Sequence, residues 1–185
     1  MQRFNSQEFV KKQVEEIRKD TGNKRALIAV SGGVDSTTCA ALSHLALGEN
    51  LLCVMLDDAF MRQGEPERVA QLLSQSPLNL PIKVLNVQER FLNALKGLCD
   101  AEEKRKAFRE AFYKTLSETA QKENCQFLVQ GTIQADIKET AGGIKTQHNV
   151  LAQIGISPTQ RYGFQVIEPL LTLYKPQVRQ VARHL

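Results

Sequence analysis

The 185 residues suit one domain with a sizeable core, and 42% hydrophobic with 24% charged residues is the composition of a soluble globular protein. Lys plus Arg exceeds Asp plus Glu by 24 to 20, and this net charge of +4 is too small and dispersed to imply a nucleic-acid surface, though it suits a site that meets a polyanion. No apolar run approaches the length of a membrane span and M-Q-R-F-N-S-Q-E at the start lacks a signal-peptide core, so a cytoplasmic protein is expected.

In chain order, Asn5 reads as an N-cap with Glu8 at the third helical position, and Phe9, Val10, Val14 and Ile17 then recur at helical spacing up to Thr21-Gly22-Asn23. Residues 26–30 form an apolar run suited to a buried parallel strand, and Ser36 to Leu47 suit a helix. A second buried strand is predicted over 51–56, with Asp57 and Asp58 at its end, followed by a helix from Pro66 to Ser74. The alternation of 82–87 predicts a third strand, and Phe91, Leu92 and Leu95 a short helix ending at Gly97. Asp100 and Glu103 make a D-x-x-E capping pattern for a long helix with Phe108, Phe112, Leu116 and Ala120 on one stripe. The K-R-K at 104–106 reads as that helix's solvated face.

A fourth strand is predicted over 126–130, leading to Gly131-Thr132, and a fifth over 164–167. Between them, from Ile133 to Gly163, no period persists, and the mix of isoleucines with Asp136, Glu139, Lys145, His148 and Arg161 is not a low-complexity tract; a functional lid is expected there. Lys175-Pro176 opens a last helix bearing Val178, Val181, Ala182 and Leu185. That helix lacks a glycine or asparagine C-cap, so the chain is expected to continue beyond Leu185. Strands alternating with helices predict an α/β, Rossmann-like, doubly wound, five-stranded parallel sheet of order 3-2-1-4-5.

The chemistry concentrates at S-G-G-V-D-S, residues 31–36, on the turn from the first strand to its helix. Gly32 and Gly33 let the backbone approach a ligand, and the helix N-terminus supplies unpaired N–H donors, so phosphate is the natural occupant. Ser31 and Ser36 add hydroxyls, and Asp35 adds a carboxylate that would repel phosphate unless a metal ion lay between them, which argues for Mg²⁺. The loop lacks the Lys of G-x-x-x-x-G-K-[ST] and does not match G-x-G-x-x-G. An ordinary glycine turn is the alternative for a lone G-G; the complete motif after an apolar strand favours phosphate. Asp57 and Asp58 stand where ligands gather beyond strand ends, with a helix-start or turn residue as the other reading. Arg62 reads equally as a phosphate contact or a solvated loop residue. The four cysteines, Cys39, Cys53, Cys99 and Cys125, form no C-x-x-C pair, so disulfide and metal readings are weak.

The motif S-G-G-V-D-S resembles the PP-loop of the ATP pyrophosphatases. Together with L-D-D at 56–58, R-Q-G-E at 62–65, F-L-N-A-L-K-G at 91–97, D-A-E-E-K-R-K at 100–106, Q-G-T at 130–132, I-K-T-Q-H-N-V at 144–150, E-P-L at 168–170 and Y-K-P-Q-V-R at 174–179, it resembles the ATP pyrophosphatase domain of GMP synthetase, in order and spacing. The resemblance implies an adenine nucleotide alpha hydrolase-like fold over 1–185, ATP and Mg²⁺ as cofactors, and a reaction in which ATP adenylates the XMP 2-oxygen, pyrophosphate leaves, and ammonia displaces AMP. It implies that Ser31, Gly32, Gly33, Val34, Asp35 and Ser36, with Gly131 and Thr132, bind the nucleotide, with Asp35 toward the metal and Asp57 near the adenosine. Asp136 and Glu139 would assist metal or substrate, and Lys145 with His148 would come from the lid onto the reacting groups; a solvated Lys145 and a structural His148 are the alternatives. A glutamine amidotransferase partner supplying ammonia and a homodimer through a further C-terminal domain are also implied, since the 185 residues hold neither domain.

Two local departures accompany the likeness. L-D-D-A replaces the family's V-D-N-G after the second strand, and L-A-Q-I-G replaces the glycines and proline after H-N-V. Another PP-loop adenylating enzyme, thiolating tRNA or transferring sulfur through cysteine, and a nucleotide-binding regulatory module without catalysis are therefore the competing readings.

Overall fold

A computed structural model describes residues 4–141 and 155–185. The chain runs α1 (Ser6–Thr21), β1 (Arg25–Ala29), α2 (Val34–Leu47), β2 (Leu51–Asp57), α3 (Glu65–Leu73), β3 (Ile82–Asn86), α4 (Gln88–Leu95), α5 (Ala101–Lys122), β4 (Cys125–Val129), α6 (Gln134–Ala141), α7 (Pro158–Tyr162), β5 (Gln165–Ile167) and α8 (Lys175–His184). The five strands form one sheet of order β3-β2-β1-β4-β5, every pair parallel. This is the expected doubly wound order.

Alternation along the strands explains the two helical layers, because successive side chains leave opposite faces of the sheet. Ala26, Ile28, Cys53, Phe127 and Val129 pack with Ile17 of α1, Leu42 of α2, Leu73 of α3 and Val178 of α8. Leu27, Val54 and Leu128, one position out of step, pack with Phe91 of α4, Leu116 of α5 and Tyr162 of α7. Burial on both faces is why β1, β2 and β4 read as continuous apolar runs, while β3, half-buried at the sheet edge, alternates.

The helix starts follow local chemistry. The Asn5 side chain accepts from the backbone N–H of Gln7 and Glu8, at 3.1 and 3.2 Å, and Phe4 meets Phe9 with ring centroids 5.7 Å apart, a hydrophobic staple across the cap. Asp100 caps α5 in the same way, through Glu102 and Glu103 at 2.9 Å each. Holding those N–H groups keeps the Asp100 carboxyl below its ordinary value. Helix α2 begins at Val34, two residues ahead of the expected start, so Asp35 lies inside its first turn.

The stretch 133–163, expected as a lid without regular elements, does hold helices at both ends: residues 134–141 form α6 and residues 158–162 form α7. Both helices are too short for a period to show in sequence. Lys145 and His148 lie outside the described residues. Among the described residues, no helix is long and apolar enough to cross a membrane.

Candidate functional site

Where the sheet's winding direction reverses, between the carboxyl ends of β1 and β4, the structure has a cleft of about 560 Å³. Its polar wall is the 31–36 loop. Gly33 is the N-cap of α2 and places no side chain on the first turn, so the leading N–H groups are left for a ligand. The loop holds itself in shape. The Ser36 hydroxyl donates to the Gly33 carbonyl at 3.1 Å and accepts from the Ser31 N–H at 3.2 Å, while the Ser31 and Ser36 hydroxyls lie 3.0 Å apart.

The two glycines that matter most serve different needs. Gly32 has φ +78°, in the left-handed region, and a Cβ there would stand 2.9 Å from Val69 Cγ1 on α3. Gly131, at the end of β4, would place a Cβ 3.1 Å from the backbone oxygen of Asp35. Its lack of a side chain lets the β4 turn lie directly against the first turn of α2.

Asp35 is the electrostatic centre of the cleft. Its Oδ2 accepts from Lys175 Nζ at 2.5 Å, and its Oδ1 is buried with no hydrogen-bond partner among the described residues. A buried carboxylate oxygen left unmatched is costly unless something arrives to meet it. Opposite, Leu56, Met61, Phe112, Leu116 and Leu128 form an apolar wall. The cleft thus joins an anion cradle to a surface that suits a flat ring.

The remaining predicted residues divide between the cleft and its supports. Val34, Gly131, Thr132 and Asp136 line it. The Thr132 hydroxyl donates to Glu168 Oε1 at 2.6 Å, tying the end of β4 to the end of β5, and Asp136 Oδ2 accepts the Ile133 N–H at 2.9 Å, closing the first turn of α6. Asp57 accepts from Gln88 Nε2 at 2.7 Å, and it is Asp58 that reaches the cleft wall. Arg62 is exposed and outside the lining, its N–H donating to Glu65 Oε2 at 3.0 Å. Glu139 is carried by α6. Sequence reasoning places both Asp57 and Asp58 where ligands gather but carries only Asp57 toward the adenosine, and it does not single out Lys175 as a cleft residue. A signal for Lys175 does exist: a cation in the first turn of a helix, where the macrodipole favours acids.

No cysteine lines the cleft. Cys39, Cys53 and Cys125 are buried and Cys99 is exposed. Burial pushes the Cys53 thiol up to about 12 and raises Cys39 and Cys125 as well, which leaves them poor nucleophiles.

A glycine turn that opens a helix at the switch point of a parallel doubly wound sheet defines a class of α/β protein that receives an anionic ligand at a helix N-terminus. A family model described as a PP-loop domain matches residues 6–185, and the chain belongs to that family. Over 182 residues it is 48% identical to a subunit of the glutamine-hydrolyzing GMP synthase of Sulfurisphaera tokodaii, covering 98% of this chain and 48% of that protein. Against the protein of the same name from Methanopyrus kandleri it is 47% identical over 182 residues, covering 98% and 56%. The chain thus spans about half the length of the curated relatives it matches. Among solved structures, an NH3-dependent NAD synthetase from Campylobacter jejuni superposes with a TM-score of 0.71 at 19% identity, covering 98% of this chain and 74% of that one. A tRNA thiolase from Methanococcus maripaludis gives 0.66 at 19% identity, covering 96% and 64%. Both show a shared fold.

Proposed function

We propose that this chain is the ATP-using part of a GMP synthetase-type ligase. ATP would lie with its β- and γ-phosphates on the 31–36 loop and its base against Leu56, Met61 and Phe112. The XMP 2-oxygen would then attack the α-phosphorus, forming an adenylate and releasing pyrophosphate, and ammonia would displace AMP to give GMP. The observation that carries this reading is the uncapped start of α2 sharing one cleft with a buried, unmatched oxygen of Asp35. The relatives' names support the choice of acceptor.

Mg²⁺ fits this site. It commonly takes one or two protein carboxylate ligands beside substrate phosphates, and Asp35 Oδ1 is free to be one of them. When bound, the ion supplies charge neutralisation for the leaving pyrophosphate. The protein's own contribution is position: loop N–H groups and the Ser31 and Ser36 hydroxyls fix the phosphates, and the apolar wall excludes water from one flank. Nucleotidyl transfer depends mainly on such positioning and on electrostatic stabilisation. Glu139, Lys145 and His148 are proposed to complete the acceptor side.

That the relatives are named as subunits of a glutamine-hydrolyzing enzyme supports a separate glutamine amidotransferase partner in the cytoplasm as the ammonia source. A homodimer through additional sequence is proposed alongside it. Sulfur transfer fits less well, because the buried thiols are poor nucleophiles and Cys99 stands away from the cleft.

With ATP, Mg²⁺, XMP and ammonium, the full-length protein should release AMP and pyrophosphate in step with GMP. Absent or XMP-independent turnover overturns the reading.

A further inference from the structure

The Asp35–Lys175 contact raises a question that phosphate binding alone does not answer. An acid inside an anion cradle repels the ligand, and a cation on that acid blocks the metal. The structure has both groups together, Lys175 Nζ lying 2.5 Å from Asp35 Oδ2. We propose that Lys175 is a positioning residue and the resident counter-ion of Asp35, admitting polyphosphate before the divalent cation arrives and competing with that cation for the carboxylate. This rests on the reading of the cleft as a polyphosphate site.

Three observations point to that role. First, Lys175 occupies the first turn of α8, which contains no acid, and so stands against the helix dipole. A residue that breaks a local rule inside a cleft is a sign of function. Second, its side chain is 43% exposed and that of Asp35 26%, so the pair contributes little to stability and can be exchanged. Third, the grip is one-sided, for Lys175 takes Oδ2 and leaves Oδ1 buried and unmatched.

The backbone beneath Lys175 is held on both sides, while its side chain is 43% exposed and reaches Asp35 from the end of a long stem. The Tyr174 N–H donates to Gln177 Oε1 at 2.9 Å in a capping box, and buried Leu173 and Val178 anchor either side. Flexibility is thereby confined to the lysine stem, which can carry the ammonium from carboxylate to phosphate. Until metal binds, Lys175 cancels the charge that Asp35 presents to an incoming anion. Once a divalent cation takes the carboxylate, Lys175 is displaced toward the phosphates.

The test uses the full-length protein with inorganic pyrophosphate and Mn²⁺ as probes. In EDTA, Lys175→Gln should weaken pyrophosphate binding by about tenfold or more, the worth of one charge-assisted hydrogen bond, while Lys175→Arg retains it. Without any phosphate ligand, Mn²⁺ binding followed by electron paramagnetic resonance should tighten by about fivefold or more in Lys175→Gln, because a competing charge has gone. A merely structural lysine would weaken both. Asp35→Asn gives an independent reading: metal-free pyrophosphate should bind more tightly and Mn²⁺ should no longer bind. Unchanged pyrophosphate affinity in Lys175→Gln, or Mn²⁺ affinity that falls or stays put, overturns the proposal and leaves the polyphosphate site standing. If the wild type binds no pyrophosphate with or without metal, both readings fall.

Discussion

A methyl group on Gly131 would stand 3.1 Å from the backbone oxygen of Asp35 and 3.2 Å from the backbone nitrogen of Ser36. Neither neighbour is a flexible side-chain end, so the β4 turn and the start of α2 would have to separate. Gly131→Ala should therefore cost about 1–3 kcal/mol, as overpacking does, and weaken ATP binding by displacing the loop. Denaturant unfolding and nucleotide titration measure the two effects, and a variant unchanged in both would mean that the turn yields freely. Residues of this kind were readable from sequence to different depths. The loop glycines and Asp35 announce themselves, because an apolar strand followed by S-G-G-V-D-S allows few other roles. Lys175 does not, because its partnership with Asp35 is made only by the fold, and although Asp57 and Asp58 both stand at the end of β2, nothing local tells which of them faces the cleft.

At the level of elements, the Asn5 cap and the Phe4–Phe9 staple fix the entry to α1, which packs through Ile17 on the face shared with α2 and α8. Asn5→Ala should lower stability by about 1 kcal/mol while leaving nucleotide affinity unchanged, since no residue of α1 lines the cleft. Thermal unfolding with a parallel binding measurement decides it; a loss of affinity comparable to the loss of stability would show that α1 shapes the site. The larger elements were legible because they bury whole faces and carry their own punctuation. The central strands β1, β2 and β4 are buried on both sides, and Asn5, Asp100 and Pro176 mark helix starts where the sequence placed them. The eight residues of α6 and five of α7 are different. Helices that short owe their form to neighbours: the Ser117 hydroxyl donates to the Tyr162 carbonyl at 2.7 Å, and the side chain of Arg161 in α7 meets Glu110 of α5 at 2.9 Å.

Across the whole molecule, the thiols report on compactness. At pH 8 the raised values of Cys39, Cys53 and Cys125 keep them protonated as well as buried, so reactivity appears only when the fold opens. An aromatic disulfide reagent should modify one cysteine per native chain, Cys99, and all four in denaturant. Rapid modification of two or more in the native protein would contradict the packing described, and a native Cys99→Ser variant should be silent. The Asp35–Lys175 pair adds a consequence in time. Its partners lie 140 residues apart in the chain. At about 5–20 residues per second, a ribosome delivers the finished phosphate loop roughly seven to twenty-eight seconds before the lysine that balances it. During that interval the nascent protein carries an unneutralised acid in its ligand cradle, so it cannot capture and hold metal-free polyphosphate while the sheet is still being assembled.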